Sequence, residues 1–211
     1  RDEGRDGAGN VFLASPNRAK LLDHAKKELE DNGRYLFAAA RDVAIAPHTH
    51  GRWIGNGEMA KWVVEVESEG AESLNLGFGE FRLPNGGELV IRPMNGGDGE
   101  LVFTSADNDA HGELWTPILR TDRLEIELNV PRTLAGEVRL ALNKVNHGFR
   151  SSRKKKGKAI GDSSSGACNI DVICSAADSS SFGPLIDRYR DEIRSVGAYT
   201  VGGIETCSGA L

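Results

Sequence analysis

Cysteine is absent from the first 167 residues; all three, Cys168, Cys174 and Cys207, fall in the last quarter of the chain. That distribution excludes an internal disulfide from the long amino-terminal part. Long apolar runs are absent too, which excludes a transmembrane helix. An excess of positive charge is missing: 26 Lys and Arg stand against 31 Asp and Glu, a formal net charge of -5. No overall basic field calls for nucleic acid. There is no initiating Met, and no basic stretch followed by an apolar one near Arg1. Cys207-Ser-Gly-Ala-Leu211 reads as the middle of an apolar strand. The sequence is expected to be a fragment at both ends, so the missing leader says nothing about compartment.

What is present is ordinary for a soluble globular protein: 211 residues, 39% apolar and 27% charged. That length allows one large or two small domains. Residues 1–10, RDEGRDGAGN, are polar and glycine-rich and read as a disordered leader. A helix is predicted next, with Ser15 as N-cap and Pro16 at its first position. Leu21, Leu22, Ala25 and Leu29 form its apolar stripe, and Asn32-Gly33 stops it. Residues 1–33 are thus leader and short helix.

From Tyr35 the apolar period changes to 2. Trp62, Val64 and Val66 alternate with Lys61, Glu65 and Glu67. Leu74, Leu76 and Phe78 share a face, as do Leu89 with Ile91 and Leu101 with Phe103. Leu124, Ile126, Leu128 and Val130 interleave with Arg123, Glu125, Glu127 and Asn129, and Val138, Leu140 and Leu142 follow. Turn residues separate these runs at Pro84–Gly87, Asn95–Gly99 and Thr121-Asp122. Such spacing predicts a mainly β fold, an antiparallel β-sandwich over residues 34–150. Residues 151–166, SSRKKKGKAIGDSSSG, have the composition of a linker. In residues 167–211, Ile193, Val196, Ala198, Tyr199 and Val201 suggest one or two strands.

Several motifs invite chemistry. Gly161-Asp162-Ser163-Ser164-Ser165-Gly166 approaches the Gly-Asp-Ser-Gly-Gly of serine nucleophiles. Serines replace both closing glycines, whose backbone freedom aims amides at the oxyanion, so a linker is the expected reading. Arg153, Lys154, Lys155, Lys156 and Lys158 form an exposed basic run. It reads as a processing site, a solvated charge run, or a contact for a polyanion. His48-Thr-His50, His111 and His147 lack a Cys or Glu-x-x-His partner, so no metal is expected; His147 reads as a turn or strand-end residue with a satisfied hydrogen bond. Asp107-Asn-Asp109 with Glu113 offers oxygens of the type calcium uses, though such residues also cluster in turns. Trp53, Trp62 and Trp115 are expected in the core, the alternative being a sugar-stacking platform. An odd cysteine count is read as disulfides with absent partners or as free buried thiols.

A resemblance rests on Cys168-Asn-Ile-Asp-Val-Ile-Cys174, Asp191-Glu-Ile-Arg-Ser-Val-Gly-Ala-Tyr199 and Thr206-Cys-Ser-Gly-Ala-Leu211. In order and spacing they resemble the mature start of the secreted bacterial lysyl endopeptidases, serine proteases of the chymotrypsin-like double β-barrel fold. Ala71-Glu-Ser-Leu-Asn-Leu-Gly-Phe78, Leu114-Trp-Thr-Pro-Ile118 and Val145-Asn-His-Gly-Phe149 resemble the region upstream of such proteases. The resemblance implies a pro-region followed by the incomplete first part of the protease barrel, residues 167–211. It implies that Cys168, Cys174 and Cys207 have disulfide partners beyond Leu211. It also implies an extracellular destination, no catalytic residue and no cofactor in this stretch, and cleavage in the basic run or near Gly166. Its partners would be the protease domain of the same precursor and, for the parent, protein substrates. The rival expectation is a secreted β-sandwich module that binds polysaccharide or protein.

Overall fold

A computed structural model describes residues 3–6, 9–55, 57–95, 99–150 and 196–210, with side chains for 9–55, 57–95, 99–150 and 200–206. In chain order the elements are β1 (Glu3–Asp6), β2 (Asn10–Leu13), α1 (Arg18–Asn32), β3 (Tyr35–Leu36), β4 (Ala38–Ile45), β5 (Arg52–Ile54), β6 (Met59–Ser68) and β7 (Ser73–Arg82). They continue with β8 (Glu88–Pro93), β9 (Leu101–Thr104), β10 (Leu114–Trp115), β11 (Arg123–Pro131), β12 (Arg139–Gly148), β13 (Val196–Val201) and β14 (Glu205–Ala210). Contacts divide the chain into one unit of Arg1–Ser151 with Thr200–Thr206, and another of Ser152–Tyr199 with Cys207–Leu211. Of the second unit, the described residues 196–199 and 207–210 are extended strand.

The first unit is mainly β. One sheet has seven strands in the order β1-β2-β6-β11-β8-β9, with β5 also on β6; another has four, β10-β7-β12-β4. The alternation expected from the sequence is what pairs these sheets face to face. Val64, Val66, Leu124, Ile126, Leu128, Leu89 and Ile91 of the large sheet share one buried cluster with Leu74, Leu76, Phe78, Leu140, Leu142 and Val145 of the small one. A single core between two sheets is a sandwich. The polar partners lie outside. Lys61 and Arg92 both pair with Glu127, and Arg123 pairs with Glu65. Burial alone would push the Glu127 carboxyl up, but Asn129, Lys61 and Arg92 outweigh it and hold it below its ordinary value.

Two local expectations change. Residues 3–6 and 10–13 are strands, not a disordered leader: β1 pairs with β2, and β2 runs parallel to β6. Val11 and Leu13 drive this, because both point inward and are buried. The helix starts later than Pro16. Asn17 is its N-cap, accepting from Lys20 N at 3.1 Å. Ser15 precedes the helix, its N–H donating to the Glu69 carboxylate. Gly33 does end the helix, with φ 69° and its N–H on Leu29 O. Of the expected stripe, Ala25 is buried with Leu36 and Phe149, while Leu22 and Leu29 stay exposed.

Phe81 is 1% exposed and stacks edge-on against both Phe78 and Phe103. Phe81→Ala is therefore expected to cost about 3–5 kcal/mol, read as a lower urea midpoint at constant m-value.

Candidate functional site, a dock for residues 200–206

Asn75 on β7 and Asn146 on β12 are directly opposite in register. Their neighbours Leu74, Leu76, Val145 and His147 take the inward positions, so the two amides share the outer face of the small sheet. Both are nonetheless buried, because residues 202–203 cover them. Asn146 Nδ2 donates to Asn75 Oδ1 at 2.8 Å and to Gly202 O at 2.9 Å. Asn75 Nδ2 donates to Gly203 O at 2.8 Å. The turn that presents these carbonyls is closed by Ile204 N–H on Val201 O.

Gly203 is demanded at its position. Its φ is +68°, and a Cβ built on it would overlap Asn75 Oδ1 and Asn146 Nδ2. Beyond it, Ile204 O accepts from Phe37 N at 2.9 Å and Ala38 N at 3.2 Å. β14 then pairs antiparallel with β3, Glu205 opposite Leu36 and Thr206 opposite Tyr35. Arg34 binds Glu205 at 2.6 Å and Glu28 at 3.2 Å. Its hydrogen bond to Glu205, then the charges of Glu205 and Glu28, hold the guanidinium above its ordinary value. Phe149 N and Arg150 N both donate to Phe37 O, and the Arg150 guanidinium lies 4.7 Å over the Tyr35 ring. A segment far along the chain is thus held by backbone pairing, two buried amides and an ion pair.

Behind this face, His147 Nδ1 and Ser68 Oγ are 2.8 Å apart and both buried, joining the small sheet to the large. Burial first, then the nearby charges of Arg41 and Arg18, push His147 down to about 4. It is the satisfied strand-end histidine the sequence suggested.

The other expected sites are not brought together. His48 and His50 lie in the turn after β4 rather than alternating on a strand. Among the described residues, no group of three or more His, Cys, Asp or Glu could hold a metal ion. Asp107 accepts from Thr104 N, and Asp109 accepts from His111 N and Gly112 N, so both serve local turns. Trp62 is in the core, donating from Nε1 to His50 O. Trp53 and Trp115 are not, at 45% and 44% exposed. Both sit on short edge strands: Trp115 lies over Gly77, and Trp53 Nε1 donates to Pro47 O. Arg153, Lys154, Lys155, Lys156, Lys158, Gly166, Cys168 and Cys174 lie outside the described residues. Cys207 is in β14, its side chain undescribed. No helix among the described residues is long and apolar enough to cross a membrane.

Sequence reasoning gave Asn75 and Asn146 no role beyond their place in the stretches Ala71–Phe78 and Val145–Phe149, and did not single out Gly202 or Gly203. An outward Asn on a strand is unexceptional, and only the paired glycines hinted at an enforced turn. No family model matches the chain. A lysyl endopeptidase of Pseudomonas aeruginosa is 32% identical over 81 residues. The match takes in 37% of this chain and only 17% of that protein, a partial likeness to a protease.

Proposed function

We propose that this chain is the front part of a secreted serine endopeptidase precursor. In this reading, residues 34–150 are a pro-region domain, 151–166 are a cleavable linker, and 167–211 begin the protease domain. The observation that carries it is the dock. The sandwich grips residues 200–206, which follow the basic run, by satisfying their backbone groups. A β-strand needs a neighbour before its own sheet exists. β14 lies between β13 and β3, and β3 is the neighbour that the sandwich supplies, so the pro-region acts as a template for an early strand of the protease. The parent would cut peptide bonds with a serine nucleophile, a histidine base and an aspartate, and this reading assigns none of the three to this chain. Cys168, Cys174 and Cys207 would then form disulfides with other parts of the precursor in an oxidising, extracellular setting.

The test is expression of the whole precursor carrying Asn75→Leu with Asn146→Leu in a secreting host. A folded sandwich with about thirtyfold less active enzyme released is expected, the two lost amide contacts to Gly203 O and Gly202 O contributing roughly 1 kcal/mol each. Amino-terminal sequencing of the mature enzyme should place its start between Arg153 and Cys168. Undiminished active enzyme from the double variant, or a mature start upstream of Arg153, would refute the template role.

A further inference from the structure

The three tryptophans do not share one fate, and Trp53 is the informative one. It lies on the short edge strand β5, half-exposed, with its indole orientation set by the 3.1 Å bond from Nε1 to Pro47 O. On one side is a cavity of about 350 Å³ lined by Pro47, His48, Glu80, Val138 and Arg139. Another, of about 230 Å³, is lined by Trp53 together with Ile54, Ala60, Arg132 and Ala135. The first joins residues of β5 to residues of β7 and β12, so it lies where the rims of the two sheets meet. Its size is at the lower end of small-molecule sites.

The lining has a definite chemistry. A fixed aromatic plane adjoins small aliphatic groups, and planar hydrogen-bonding side chains surround it. The charges are unbalanced. Arg139 and Arg132 stand against Glu80 alone, in a chain whose formal net charge is -5. Arg139 is oriented by bonds from NH1 to Gly136 O and Val138 O, and Arg132 by bonds to Gly57 O and Gly55 O. Held guanidinium groups bind carboxylates with little further entropy cost.

We propose that this rim groove binds an acidic oligosaccharide of the uronate class. The C–H face of one sugar ring stacks on the Trp53 indole. Its carboxylate goes to Arg139, and ring hydroxyls donate to Glu80. The neighbouring cavity, with Arg132, takes the next unit of the same chain. The groove is separate from the dock at Asn75 and Asn146, and this inference does not rest on the protease reading.

The test uses the whole 211-residue chain. Tetragalacturonate is titrated by calorimetry and by tryptophan fluorescence, alongside its uncharged methyl ester and tetraglutamate. Tetragalacturonate should bind and quench fluorescence. Trp53→Ala should weaken it at least about tenfold, in the manner of an aromatic hot spot, and Arg139→Gln about fivefold. Trp115→Ala should leave it unchanged, and the methyl ester should bind more weakly than the acid. Thermal melts of each variant show that the sandwich persists. Three results would overturn the assignment: no binding of tetragalacturonate, equal binding by Trp53→Ala, or equal affinity for tetraglutamate.

Discussion

Replacing Gly203 by alanine is expected to release residues 200–206 while both sheets of the sandwich stay folded. The left-handed backbone at φ +68° costs alanine about 1 kcal/mol. The added Cβ also overlaps the two amides that hold the turn, so Asn75 and Asn146 must move and their bonds to Gly203 O and Gly202 O lengthen or break. With roughly 1 kcal/mol for each hydrogen bond, the total is about 3 kcal/mol, or on the order of a hundredfold in local opening. Amide exchange reads it directly, because Phe37 and Ala38 N–H both donate to Ile204 O. Gly202→Ala is the control. Its φ is +56°, but no atom lies within 4 Å of the added Cβ, so only the backbone strain of about 1 kcal/mol remains. Equal exchange in the two variants would mean that the amides do not read the turn.

Acid is expected to destabilise the sandwich through His147. Its folded value is about 4, against an ordinary 6.5. The fold therefore favours the neutral ring, and the unfolded chain binds the proton more readily. The contribution is whole above pH 6.5 and is lost as pH falls towards 4, at about 1.4 kcal/mol per unit and up to about 3 kcal/mol in all. Burial is the first cause of the shift, and the charges of Arg41 and Arg18 add to it. Ser68 holds Nδ1, Arg41 and Arg18 repel the proton, and the Arg18 charge is itself paired with Glu72 at the surface. Urea midpoints from pH 7.5 to 4.5 measure the slope, and His147→Gln should remove most of it. Parallel slopes in the two proteins would place the acid sensitivity elsewhere.

The contrast between Trp62 and Trp53 shows how far pattern reading reaches. Trp62 lies in a long alternating strand, and its burial followed from that alternation. Trp53 lies in a strand of three residues at a sheet edge, too short for a period to show, so its expected burial did not hold. The same reason hid β1 and β2. Four-residue strands in a glycine-rich stretch carry no periodic signal, and Val11 and Leu13 find their place only against β6.

The sequence by itself determined which residues face inward. Alternation along Trp62–Val66, Leu74–Phe78, Leu124–Val130 and Leu140–Leu142 commits one apolar face of each strand to the core, because a slip of one residue would turn that face outward. It also determined where the helix stops, since Gly33 alone tolerates the left-handed turn there. Only the tertiary structure decided what the outward residues do. Asn75 and Asn146 are polar positions on an outer face, indistinguishable by pattern from those left in water. They become a clamp because Asn75 meets a glycine turn 128 positions away. Local propensity cannot encode a hydrogen bond over such a span; the register of β7 on β12 and the return of the chain along β3 create it.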